Sequence, residues 1–149
     1  LLGMSMGGSV SVHSAGLADA PWKALVIISS FDSFAKVIEG QASLHIGTTL
    51  GPFWAKGTDL VYHWKSGIHL SDIQPSKTAA AIRIPTLIAH GTNDQVSAIA
   101  RGKSLYSSLP STTPKMWIEI PTANHDNVLI TDYPIYADIC AWMLSHVSP

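Results

Sequence analysis

The first eight residues, Leu1-Leu2-Gly3-Met4-Ser5-Met6-Gly7-Gly8, constrain this chain more than any other stretch. An apolar pair runs into Gly-x-Ser-x-Gly and then into small residues, the sequence form of a serine held on a sharp turn between a strand and a helix. A serine in such a turn crowds the residues two before and two after it. The spacing therefore predicts that Gly3 and Gly7 leave room where a Cβ would clash, and that Gly8 lets the following helix approach the sheet. At a helix N-terminus, Ser5 Oγ would lie beside unpaired backbone N–H groups and the positive end of the helix dipole, with the Met6 N–H as the first donor to a developing negative charge. The same short pattern also arises in Gly- and Ser-rich loops, so its context must come from the rest of the chain.

That context is an alternation of buried strands and helices. Residues Gly8 to Leu17 carry Val10, Val12, Ala15 and Leu17 among serines, as a short helix packed under a sheet would. Trp22 to Ser29 is a continuous apolar run of the kind found in a strand buried on both faces, the signature of a parallel sheet. Ile84 to His90 repeats it, followed by the polar loop Gly91-Thr92-Asn93-Asp94 and a helix with Val96, Ile99, Ala100 and Tyr106 as its apolar stripe. Lys115 to Ile120 begins by alternating polar and apolar residues, as a strand near a sheet edge does. The last helix has Asp132 as its cap, Pro134 in its first turn, and Ile135, Ile139, Trp142 and Met143 on one face. Strands alternating with helices predict an α/β fold with right-handed crossovers.

Between the second and third of these strands the chain makes a long excursion. Residues 30–83 exceed what a crossover between parallel strands needs, and helices are expected around Phe34 to Glu39 and from Pro52 to Lys65. The segment reads as a small cap or an extended crossover. Its Phe31, Phe34, Phe53, Trp54, Tyr62 and Trp64 either wall an apolar substrate pocket or pack against the sheet.

Composition narrows the function classes. The chain has 149 residues, 46% hydrophobic and 13% charged, which fits one well-packed α/β domain and excludes a disordered one. Its net charge is −1 with nine scattered Lys and Arg, so no basic face is offered to nucleic acid or an anionic membrane. The apolar runs are too short for a membrane span. A single cysteine, Cys140, excludes an internal disulfide, fits a reducing compartment such as the cytoplasm, and reads as a core thiol on a helix.

Three polar positions, Ser5, Asp94 and His125, each fall just after a strand. In an open parallel sheet such loops emerge at one edge, where ligands bind. The order nucleophile, acid, histidine accompanies a strand-turn-helix nucleophile. On the strength of Gly-Met-Ser-Met-Gly-Gly, Ile-Pro-Thr-Leu-Ile-Ala-His-Gly-Thr-Asn-Asp and Ala-Asn-His-Asp-Asn, which span nearly the whole chain, the sequence resembles the C-terminal half of an α/β-hydrolase-fold serine hydrolase, in the manner of the serine-aminopeptidase, monoacylglycerol-lipase and dienelactone-hydrolase-like branches. The resemblance implies Ser5 as nucleophile, His125 as general base and then general acid, Asp94 as the group that orients His125, and Met6 as an oxyanion-hole donor. It implies a small-molecule acyl substrate, such as a carboxylic ester, and an acyl-enzyme intermediate. Asp32, which also follows a strand, is the competing acid; Asp126, beside His125, is a weaker one.

The resemblance also implies that the strands before Ser5, and the early loop carrying the second oxyanion donor, are missing from this sequence. A piece of this kind is expected to be nearly inert by itself, and to expose an unpaired flank of the Ala24 to Ser29 strand that promotes association. An acyltransferase or binding protein on the same fold, and an inactive truncated fragment, stay open as alternatives. His13, His45, His63, His69, His90 and His146 lack close metal-ligand spacing and read as packed or surface side chains, so no metal is expected. Gly3 to Gly8 lacks the glycine that a dinucleotide motif requires where Ser5 stands, so no nucleotide cofactor is expected.

Overall fold

The computed structural model describes residues 1–147. Four strands carry the fold: β1 (Leu2–Met4), β2 (Leu25–Ile28), β3 (Thr86–Gly91) and β4 (Lys115–Ile120). They form one sheet in the order β1-β2-β3-β4, parallel throughout, with Leu2 opposite Val26, Val26 opposite Leu87, and Leu87 opposite Met116. The helices between and after them are α1 (Met6–Ala15), α2 (Phe34–Ile46), α3 (Gly51–Ser66), α4 (Pro75–Ala79), α5 (Ile99–Ser108) and α6 (Ile135–Val147), with a 3-10 turn at Leu70–Asp72.

Alternation of side chains along the strands builds a core on each face. Val26, Ile28, Leu87 and Ala89 join Ile118, Ile120, Val128, Ile135 and Ile139 on one side, closed by α6. Leu25, Ile27 and Ile88 meet Val12, Ala15, Ala79, Ile82, Leu105 and Leu109 on the other, closed by α1, α4 and α5. Every residue of β2 and β3 is buried, which is why β2 reads as an apolar run and β3 as one interrupted by Thr86 and His90. β4 lies at an edge and buries only Ile118 and Ile120, in keeping with its alternating sequence.

The chain divides into two units: Leu1–Asp32 with the chain from Pro75 onward, and Ser33–Gln74. The second unit holds α2 and α3. There Gly51 packs against Ser43, where an added Cβ would lie 2.6 Å from the Ser43 backbone. Asp59 ties the following turn down, accepting from the Leu70 N–H at 2.6 Å and pairing with His69 Nδ1 at 2.8 Å. The His69 ring stacks on His63 at a centroid distance of 3.9 Å.

The expectations differ from this structure in several places. β2 has β1 on one side and β3 on the other, so the edge next to it is β1, not an unpaired flank of β2. The α5 stripe is displaced: Val96 precedes the helix and is exposed, and the buried positions are Gly102 and Leu105, because the loop after β3 runs on through Ala98 before the helix starts. Cys140 is exposed on α6 rather than a core thiol, since the inward face is set by Ile135 and Ile139. Of the six aromatics of the excursion, Phe31 is buried, whereas Phe53, Trp54 and Trp64 are 70%, 66% and 79% exposed. No described helix is long and apolar enough to cross a membrane.

Candidate active site

Ser5 stands between β1 and α1 with φ 52° and ψ −121°, a backbone state that a residue with a Cβ adopts at a cost of roughly 1–3 kcal/mol. The turn is held from both sides. The Ser5 N–H donates to the Ile28 carbonyl at 2.8 Å, extending the β1–β2 ladder, and the Ser5 carbonyl accepts the first helical bond from Ser9 N at 3.2 Å. Gly3 is required by space: a Cβ there would lie 2.3 Å from the Gly7 carbonyl oxygen and 2.4 Å from Ser11 Oγ. Gly7 is not, because nothing lies within 4 Å of its Cβ position. The crowding is one-sided, the Gly7 backbone being what Gly3 must avoid. Gly8 does admit close packing, with Ser30 Cβ 2.7 Å from where its own Cβ would be.

Asp94 follows β3. Its Oδ1 accepts from the backbone N–H groups of Val96 at 2.9 Å and Ser97 at 2.8 Å, a local arrangement that short acidic side chains favour in loops. That leaves Oδ2 for His125 Nδ1 at 2.8 Å, with His90 Nε2 at 3.4 Å. The Asp94 side chain is fully buried. Burial alone would raise its pKa, but hydrogen bonds from His90, His125 and the Ser97 N–H outweigh it and hold the carboxyl below its ordinary value of 3.8. Asp94 is therefore an anion at neutral pH.

His125 lies in the loop after β4. Asn124 Oδ1 accepts from the N–H groups of Asp126 and Asn127, both at 2.9 Å, and Asn127 Oδ1 accepts from Asn124 N at 2.7 Å, so the histidine sits in a reciprocally tied turn. The loop is also stitched to the loop after β3: Asn93 N donates to Ala123 O at 2.9 Å, and Thr122 N to Thr92 Oγ1 at 2.9 Å. Gly91 permits that approach, since a Cβ there would lie 2.5 Å from the Ala123 carbonyl oxygen. The second ring nitrogen, His125 Nε2, is 2.9 Å from Ser5 Oγ.

The structure thus brings Ser5, His125 and Asp94 together, in that order of contact. It keeps Asp32 apart: that carboxylate is buried beside Arg101, with Oδ1 3.5 Å from Nη1. Asp126, the weaker candidate, bonds Asn124 Oδ1 through its backbone N–H, while Asp94 holds His125 Nδ1. Among the histidines read as packing or surface residues, His13 bonds Thr78 Oγ1 at 2.9 Å, but His90 proves to be part of this site. Completely buried, it donates Nε2–H to the Ser97 carbonyl at 2.7 Å. Sequence reasoning missed His90, Ser97 and Ser30. The signal for His90 was its place at the end of an apolar strand, four residues before Asp94; for Ser97, the three-residue step from Asp94 that suits a side-chain-to-backbone turn. No group of three or more His, Cys, Asp or Glu among the described residues is arranged to hold a metal ion.

No family model matches the chain. A 47-residue stretch is 36% identical to the alpha/beta hydrolase domain-containing protein aho-3 of Caenorhabditis elegans, covering 32% of this chain and 14% of that protein. Among solved structures, the esterase domain of a Rhodothermus marinus protein superposes with a TM-score of 0.68 at 19% identity, over 99% of this chain and 61% of that one. A monoacylglycerol lipase of Paleococcus ferrophilus gives 0.67 at 19% identity, over 98% of this chain and 68% of that one. Acetyl xylan esterase 1 of a Thermoanaerobacterium species gives 0.71 at 19% identity, over 99% of this chain and 45% of that one. The chain thus spans about three-fifths of the esterase domain and less than half of the acetyl xylan esterase. With its parallel sheet, flanking helices and these likenesses, the chain has the α/β-hydrolase fold.

Proposed function

We propose that this chain supplies the nucleophile, base and acid of a serine hydrolase that cleaves a carboxylic ester or related acyl bond. One observation carries the reading: His125 contacts Ser5 Oγ through one ring nitrogen and the buried Asp94 carboxylate through the other. A serine hydroxyl is a weak nucleophile until a neighbouring imidazole takes its proton, and an imidazole is held in the useful tautomer by an acceptor on its far side.

In this reading Ser5 Oγ attacks the acyl carbonyl while its proton passes to His125 Nε2. Asp94 accepts the Nδ1–H bond throughout and stabilises the imidazolium that forms. The tetrahedral oxyanion is met at the N-terminus of α1 by backbone N–H groups, that of Met6 foremost. Collapse breaks the bond to the leaving group, which takes the proton from His125 Nε2–H and departs as an alcohol. Water then attacks the acyl-enzyme with His125 again as base, releasing the carboxylic acid and restoring Ser5. The strained Ser5 backbone fits this use, since φ 52° places the side chain at the end of the helix with its Oγ free to point at His125.

The likeness to esterases and a lipase supports the choice of acyl substrates but rests on fold, so the test is chemical. Mixing the complete protein with p-nitrophenyl acetate should release a burst of p-nitrophenol stoichiometric with enzyme, followed by slower steady turnover to acetate. Ser5→Ala should lose both. Transfer of the acetyl group to an added alcohol in preference to water would recast the protein as an acyltransferase; absence of any acyl adduct would remove the proposal.

A further inference from the structure

A second chain of hydrogen bonds joins the loop of Asp94 to the turn of Ser5 without passing through His125. Ser97 commits all of its polar groups to it. Its N–H donates to Asp94 Oδ1 at 2.8 Å, its Oγ donates to the Ser30 carbonyl at 3.0 Å, and its carbonyl accepts His90 Nε2–H at 2.7 Å. Ser30 in turn donates its Oγ to the Ser5 carbonyl at 2.8 Å. Ser97 is 1% exposed and Ser30 fully buried, so the bond between them is shielded from solvent. The circuit closes: Ser5 to Ser30, Ser30 to Ser97, Ser97 to Asp94, Asp94 to His125, His125 back to Ser5.

We infer that Ser97 is a positioning residue, and that the Ser97–Ser30 connection fixes the distance between the carboxylate of Asp94 and the hydroxyl of Ser5 that His125 has to span. The inference rests on the proposed roles of Ser5, His125 and Asp94. The hydrogen bonds of Ser97 go to Asp94, Ser30 and His90; it acts by holding Asp94 on one side and the backbone of Ser30 on the other. The need for such a tie follows from the topology. Ser5 and Asp94 lie beyond β1 and β3, which are not neighbours in the sheet, and Ser30 lies just beyond β2, the strand between them. His90 reinforces the tie from below by pinning the Ser97 carbonyl. Its N–H must point that way, because a carbonyl only accepts, and its other ring nitrogen, Nδ1, is buried without a hydrogen-bond partner. A misplacement of about 1 Å in a catalytic group costs on the order of 100-fold in rate, so partial loosening of this circuit is expected to cost about tenfold.

The test uses the rate at which a fluorophosphonate labels Ser5 in the complete protein, which reads the nucleophile without requiring the natural substrate. Ser97→Ala removes the hydroxyl bond to Ser30 and leaves the backbone bond to Asp94. Ser30→Ala cuts the next link and leaves Ser97 whole, so it carries the test alone if Ser97→Ala melts below the assay temperature. Each should slow labelling about tenfold, and the double variant should be no slower than either single, because two links in series fail as one. Thr113→Val is the control. Thr113 Oγ1 makes an equally buried bond, to Ile82 O at 2.8 Å, outside the circuit, and its loss should leave the labelling rate unchanged. Labelling of Ser97→Ala and Ser30→Ala at the parent rate, strictly multiplicative losses in the double variant, or an equal loss in Thr113→Val would each overturn the inference while leaving the hydrolase reading intact. A parent protein that fluorophosphonate does not label at Ser5 would overturn both.

Discussion

His125 Nε2 lies 2.9 Å from Ser5 Oγ although 120 residues separate the two in the chain. The contact is not a consequence of neighbouring strands. Ser5 follows β1 and His125 follows β4, the two edges of the four-strand sheet, and adjacent strands about 4.8 Å apart put those edges roughly 14 Å from one another. The loop after β4 closes the gap by leaning over the end of β3, where the bonds from Asn93 N to Ala123 O and from Thr122 N to Thr92 Oγ1 hold it.

Gly91→Ala should therefore act at a distance. The new Cβ would meet the Ala123 carbonyl at 2.5 Å, and the loop carrying His125 would have to rise. We predict a stability loss of about 1–3 kcal/mol in urea denaturation together with a drop in Ser5 reactivity of tenfold or more. Unchanged reactivity in the folded variant would mean that the two loops do not set the His125 position.

The turn at Ser5 gives a sharper contrast between two glycines. Gly3→Ala places a methyl group 2.3 Å from the Gly7 carbonyl oxygen and should cost more than about 2 kcal/mol, since backbone has to move. Gly7→Ala enters open space inside a helix and should raise stability by roughly 0.5–1 kcal/mol, the usual gain of alanine over glycine there. Thermal melts of the two variants check this, and equal losses in both would contradict the packing described.

Much of this was legible from residue types. Two mainly apolar runs announced β2 and β3 because burial on both faces leaves few polar positions to alternate. The serine between glycines announced the β1 turn because few residue patterns tolerate such crowding. What escaped was set by long-range packing. The sequence carries no mark that the Cβ direction of Gly7 is open while that of Gly3 is closed, nor that α5 starts only at Ile99. Cys140 looked like a core residue because its neighbours are apolar, yet helix phase turns it outward. Ser30 and Ser97 are ordinary serines by spacing, and only the fold reveals that they meet.

The acid can be tested by charge alone. Asp94→Asn preserves shape and should lower turnover by two to four orders of magnitude, because a neutral amide neither stabilises the imidazolium nor fixes its tautomer. Asp32→Asn should leave turnover within about threefold of the parent, since that carboxylate faces Arg101; a larger loss would move the acid role to Asp32.

The pH dependence of stability follows from the same residue. Asp94 is held below its ordinary 3.8 in the folded state, so the folded protein binds fewer protons there than the unfolded one. Its contribution is then complete above 3.8 and is lost as pH falls through the lower folded value. Urea midpoints measured between about pH 5 and pH 2.5 should fall less steeply in Asp94→Asn than in the parent. Parallel pH curves for the two proteins would show that Asp94 is not stabilised as an anion by its partners.

Whether Ser5 is the nucleophile is read most directly by mass spectrometry of the complete protein after exposure to a fluorophosphonate. One adduct per molecule is expected, on the peptide containing Ser5 and absent from a folded Ser5→Ala variant. An adduct on another residue, or labelling that survives in Ser5→Ala, would contradict that role for Ser5.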